Sequence, residues 1–170
     1  MGLHPQNIGT SMPHGFAGGY ARQPDMIINT RPAGDTIIPF GTPLKYDEND
    51  RVVPMGSGDT AEKFVGIASR EIKTALTYLE QDVGAYAPNE PVSVFMRGAI
   101  NVKCQKGKPK LGGDVYVRTA ESKDYPGAAI AVFEAEEDGG STVKLNGCQW
   151  AGPADSDGIA ELVILTRQNA

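Results

Sequence analysis

The side chains that most often carry out chemistry are scarce in this sequence and poorly placed for it. The two histidines, His4 and His14, both fall in the first 24 residues, so the rest of the chain has no imidazole to act as a general base. That excludes the usual Ser-His and Cys-His nucleophile pairs. The two histidines are also too far apart, in a Gly- and Pro-rich stretch, to suggest a metal site. Cys104 and Cys148 form neither a short-spaced ligand pair nor a disulfide framework, and both read as small buried apolar residues. Lys103 and Lys106 stand near Cys104, but lysines beside a strand cysteine more often face solvent than activate a thiol. No G-x-S-x-G elbow, phosphate loop or dinucleotide fingerprint occurs.

The acidic clusters read as turns. Asp47-Glu48-Asn49-Asp50-Arg51 begins like a calcium loop, but Arg51 stands where a third oxygen ligand belongs and no glycine follows. Asp155-Ser156-Asp157-Gly158 is too short to bind a cation alone, and Asp and Asn readily cap their own backbone in turns. Glu134 to Asp138 reads as a solvated hairpin tip rather than a pair of catalytic carboxylates flanking a cleft. The basic run Lys103, Lys106, Lys108, Lys110 has no interleaved aromatic residues, so it is no single-strand platform. It reads as a solubilising hairpin or a patch toward an acidic protein partner.

Composition agrees. The 170 residues carry 16 basic and 21 acidic side chains, a net charge of -5 that argues against nucleic acid as the main ligand. Gly (21) and Pro (12) are in excess but short of the disordered range, which points to a turn-rich fold. No apolar run is long enough to span a bilayer, and the first residues do not form a signal peptide. A soluble protein made in a reducing cytoplasm is expected, with no metal or cofactor.

Most of the chain reads as short strands between turns: Met26–Ile28, Thr36–Tyr46, Arg51–Val53, Lys63–Arg70, Pro91–Cys104, Val115–Val117, Ala128–Ala135, Thr142–Trp150 and Gly158–Thr166. Pro39 and Pro43 argue for an edge, a bend or a bulge. Gly66 suggests a close approach or bend, and Gly98 either a strand pair or one bent strand. Glu71–Glu80 spaces Ile72, Ala75, Leu76 and Leu79 as a helix face, so a short helix or irregular loop is expected there. The predicted fold is all-β. It has a small β-barrel or β-sandwich body at 25–170, an extended N-terminal arm at 1–24, and at most one short helix. The arm has Phe16 and Tyr20 as spaced aromatics and Arg22 as its only formal charge. Both a frayed terminus and an arm that orders on another protein's surface fit that composition.

In sequence order, several blocks resemble the head decoration, or capsid cement, proteins of tailed bacteriophages. In the arm the block is His14-Gly15-Phe16-Ala17-Gly18, followed by Ile38–Leu44, Arg51–Pro54 and Phe64–Ala68. Tyr86–Val94, Arg97–Val102, Gly113–Val117, Gly147–Trp150 and Gly158–Val163 complete the series. The resemblance does not extend to residues 71–82 or 119–141. It implies a structural virion protein, made in the host bacterial cytoplasm, that binds the outer surface of the assembled capsid. Such a protein clamps neighbouring major capsid subunits against the pressure of packaged DNA, commonly as a homotrimer. Its expected partners are the major capsid protein and itself, with no nucleic acid, membrane or cofactor. Because aromatic residues dominate interface hot spots, Phe16 and Tyr20, with His14 and Arg22, are the expected contact residues.

The alternatives are a minor virion component of the tail or head-completion region, and a carbohydrate-binding β-sandwich. The second needs a shallow aromatic patch, for which Tyr116, Tyr125 and Trp150 are the candidates in the C-terminal half. Trp150 is nevertheless expected in the core, while Tyr86 and Phe95 fit core or interface equally. An enzyme is the weakest reading.

Overall fold

The computed structural model describes residues 13–71 and 84–165. The predicted helix at 71–80 lies, apart from Glu71, outside them. The described chain is all-β, and its axis is β7 (Pro91–Lys103), one bent strand of 13 residues. The antiparallel strand β1 (Tyr20–Pro32) pairs along it from Tyr20 opposite Ile100 to Pro32 opposite Pro91. Pro32 and Pro91 at the strand ends cost the ladder little, and Pro24 falls where the register is broken between Arg22 and Ile27.

The remaining strands fall into three sheets. The large sheet runs in the order β11 (Cys148–Trp150), β12 (Ile159–Ile164), β7, β5 (Gly66–Ala68), β3 (Pro43–Tyr46), β4 (Val52–Pro54), with β1 added on β7. A three-stranded sheet contains β10 (Thr142–Lys144), β8 (Tyr116–Arg118) and β9 (Phe133–Glu134). A two-stranded ladder pairs β2 (Ile38–Pro39) with β6 (Ala85–Tyr86).

The bend at Gly98 changes which side of β7 faces which core. Before it, Val92, Val94 and Met96 point into a core shared with Ile38, Leu44, Val52 and Tyr86. Phe95 points the other way, into a core with Trp150, Phe133 and Leu162. After it, Ile100 and Val102 join that second core, so even-numbered residues have switched sides. Strict alternation forbids this; a residue with φ of +107° at Gly98 produces it. A Cβ there would also run into the Asp25 carbonyl, where β1 loses its regular register between Arg22 and Ile27. Gly66 is likewise a close approach, since a Cβ would lie 2.5 Å from the Phe95 carbonyl oxygen.

Three local expectations need correction. Strand β3 is not at an edge; it lies between β4 and β5, and Pro43 is tolerated because it is the first residue of the strand. Of Ala128–Ala135 only Phe133–Glu134 is strand. Ala131 sits at φ +60°, and the Gln105 side chain takes both the amide (3.0 Å) and the carbonyl (2.8 Å) of Ala129 in place of a ladder partner. Glu134 is not a solvated loop residue but fully buried, with its carboxylate 2.6 Å from Arg118 Nε, itself fully buried.

Candidate functional site

The end of the expected arm is fastened to the body mainly through its backbone. The amide of His14 donates to Asp155 Oδ2 at 2.8 Å, and its carbonyl accepts from Asn101 Nδ2 at 2.7 Å. His14 Nε2 lies 3.2 Å from the carbonyl of Pro153. Gly18 donates to the Asn101 carbonyl at 2.7 Å, and Asn101 returns the bond to Gly19 at 2.8 Å. Gly18 also accepts from Arg70 at 2.8 Å, and a Cβ there would lie 2.9 Å from backbone atoms of Ala68, Arg70 and Gly41. The chain therefore threads over the outer face of β7 and β12 and becomes β1 at Tyr20.

Residues 20–24, expected in the arm, thus open a strand of the sheet, and the four expected contact residues divide. Phe16 is exposed (69%), with the Arg70 guanidinium carbon 4.0 Å above its ring. Tyr20 stacks on Phe95 at 5.9 Å and donates from its hydroxyl to Glu71 at 2.7 Å. Burial, with the Glu71 carboxylate beside it, pushes this phenol up to about 12. Arg22 makes a two-pronged pair with Glu161, 2.6 Å from Nε and 3.1 Å from Nη2, while its own side chain stays largely exposed. His14 is half-buried under its backbone contacts. Phe16 and Arg22 are thus available to a partner, Tyr20 belongs to the packing of the body, and His14 anchors the segment.

The supporting residues Asn101, Asp155, Glu161 and Arg70 were not singled out from sequence as a site. Only Asp155 left a signal, in its Asx-turn motif. Its Oδ1 accepts the amides of Asp157 (3.0 Å) and Ile159 (2.9 Å), leaving Oδ2 for His14. Partial burial works against this charge, but the three amides outweigh it and hold the carboxyl below the usual aspartate range.

Burial pushes the Cys104 thiol up to about 11 and that of Cys148 up to about 12, away from nucleophilic character. Among the described residues no group of three His, Cys, Asp or Glu side chains is arranged to hold a metal ion. Asp47 Oδ1 accepts the amides of Asn49 and Arg51, so the calcium-like run is a capped turn. Trp150 is only 1% exposed, in the core, which removes it from any aromatic platform. Tyr125 has Lys106 and Arg118 within 5.6 Å of its ring centre, and its hydroxyl donates to the Gln105 carbonyl at 3.1 Å. No described helix is long and apolar enough to cross a membrane.

Comparison with known proteins gives this face its context. No curated protein matches the sequence. The whole fold is similar to a chain in the solved structure "The capsid of Myoviridae Phage XM1", with a TM-score of 0.72 and 12% sequence identity, over 96% of this chain and 98% of that one. The family model described as "Structural cement protein (E217 gp24/Pam3 gp6)" matches residues 4–165. That match takes in the fastened segment, both cores and all the described strands, so the chain belongs to the phage structural cement protein family and is a structural, capsid-stabilising component of the virion.

Proposed function

We propose that this protein binds the outer surface of the assembled head and bridges neighbouring major capsid subunits, as a homotrimer at local threefold positions. The observation that carries the reading is the fastened segment of residues 13–22. Its backbone is tied to the body at His14, Gly18 and Gly19, while Phe16 and the Arg22 guanidinium stay outside. A segment held this way presents side chains at little further entropic cost on binding, which is what a clamp requires. The net charge of -5 suits the exterior of a shell better than a face against packaged DNA. The family is structural, and the role needs neither catalysis nor a cofactor.

The test is the ratio of this protein to the major capsid protein in purified particles, by quantitative mass spectrometry. Equality or a simple fraction is expected. A few copies per particle would move the protein to a vertex or the tail, and absence from particles would sink the reading. Phe16→Ala should weaken attachment about tenfold, as loss of an interface aromatic does, with an unchanged unfolding midpoint of the free protein.

A further inference from the structure

The turn that follows β7 carries three lysines, and the structure separates them. Lys106 is half-buried, pairs with Asp138 at 3.3 Å and lies 5.5 Å from the ring centre of Tyr125. Lys108 and Lys110 are exposed and hold no carboxylate among the described residues, whereas Lys45, Lys63 and Lys144 each hold one. Next to them stands Leu111, 82% exposed. A turn that served solubility alone would have no use for that leucine.

The backbone under these side chains is fixed. The amide of Ala135 donates to the Lys106 carbonyl at 2.9 Å, and that of Gly113 to the Lys110 carbonyl at 2.8 Å. The amide of Gly112 reaches the Trp150 carbonyl at 2.8 Å, and Pro109 between the two lysines is buried. Lys108, Lys110 and Leu111 are therefore presented on a tip that need not order itself on binding.

Two hollows flank this tip, and their linings meet at Trp150 and Ala151. On the Leu111 side is a groove of about 470 Å³ that includes Gly98, Ala99, Ala151 and Val163. The charged residues lining it are already matched, Arg22 with Glu161 at 2.6 Å and Asp25 with Arg97 at 3.2 Å. The other hollow, about 270 Å³, contains Lys108 and Lys110. Of its two carboxylates Asp114 is held by Lys144 at 2.6 Å, so only Glu136 offsets the two lysines. An apolar groove beside unmatched ammonium groups repels a basic segment and suits one that mixes carboxylates with aliphatic side chains.

We propose that the tip at 107–112 receives an acidic segment of the major capsid protein, with an aliphatic side chain of that segment against Leu111 and its carboxylates on Lys108 and Lys110. The identity of the partner rests on the cement reading; the chemistry of the contact rests on the tip.

The test is binding of the full-length protein to particles stripped of it, over a series of NaCl concentrations. Wild-type affinity should fall as salt rises, because the attraction is screened. Lys108→Glu/Lys110→Glu should bind about tenfold more weakly at low salt and lose most of that salt dependence. Leu111→Ala should lose about tenfold at every salt concentration. All three positions are exposed, so the unfolding midpoints of the free variants should match wild type. Unchanged or tighter binding by the charge-reversed variant would overturn the proposal. So would unchanged particle binding combined with loss of free duplex DNA binding, which would assign the tip to nucleic acid. Unchanged particle binding with a smaller sedimenting species would overturn it in favour of a second copy. Wild-type protein that ignores stripped particles would end the cement reading and this contact with it, whereas wild-type binding with indifferent variants removes this contact alone.

Discussion

At the scale of single residues, the strongest stability prediction concerns Arg118 and Glu134, both fully buried and joined by bonds of 2.6 and 3.0 Å. Arg118 also reaches Asp138, which in turn takes Lys106, so the pair is part of a small network. Removing Glu134 leaves the buried Arg118 with Asp138 as its remaining carboxylate and takes away its two-pronged partner, in a medium that solvates the guanidinium poorly. Glu134→Ala should therefore cost about 3–5 kcal/mol in urea unfolding at neutral pH. The double change Arg118→Met/Glu134→Leu should cost less than the single one, because no uncompensated charge remains; a larger cost would refute the argument. Asp155 gives a pH prediction. Its folded-state pKa lies below the usual aspartate value of about 3.9, so its stabilising contribution is complete above about pH 4 and is lost as pH falls through the folded value. Hydrogen exchange at the His14 amide should be equally protected at pH 7 and pH 5 and less protected at pH 3. Asp155→Asn should remove most of that change.

At the scale of elements, Gly98 decides how one long strand serves two cores. Gly98→Ala would hold an L-residue at φ +107° and drive its Cβ against the Asp25 carbonyl, both backbone-fixed. A loss of about 2–3 kcal/mol is expected, together with faster exchange of the β1 amides near Arg22. An unchanged midpoint would mean that the bend is not held in place by its surroundings. Removal of residues 1–12 should leave the unfolding midpoint within about 0.5 kcal/mol of wild type. Removal of 1–24 should lower it clearly, because it deletes the stacking of Tyr20 on Phe95 and leaves Glu161 without Arg22. The sequence showed the strands whose alternation or bounding turns were local, such as Pro91–Cys104 and Gly158–Thr166, which the fold trims to Pro91–Lys103 and Ile159–Ile164, and it marked Gly98 and Gly66 as special. It did not show that Tyr20 begins a strand, because the partner that makes it one, Ile100, is 80 residues away. Nor did it show that Glu134 is buried, since the acidic run that follows it masks an inward carboxylate and its partner Arg118 lies on another strand. The site was half legible for the same reason. Phe16 and Arg22 are conspicuous by type, whereas Asn101, Glu161 and Arg70 acquire their roles only once the sheet brings the segment of residues 13–22 over them.

At the scale of the whole molecule, the cement role turns on linkage rather than on any one contact. A protein that binds the assembled lattice and not its separated subunits stabilises the lattice by RT ln(1 + [L]/Kd), about 2.7 kcal/mol per site at a hundredfold excess over Kd. A copy that touches more than one capsid subunit gains further, because each bound contact raises the effective concentration of the next. Two consequences separate this from a role at a vertex or in the tail. Stripped particles given back increasing amounts of the protein should release their DNA at progressively higher temperature, rising with the logarithm of free protein once it exceeds Kd. Phe16→Ala should displace that rising line to higher protein concentration by about tenfold, the factor expected for its affinity, and leave its slope unchanged, because the same number of sites is filled in the same way. A release temperature that ignores added protein would mean that its copies do not bridge the shell. A variant that lowers the slope rather than shifting the line would mean that Phe16 acts in the bridge itself and not only in attachment.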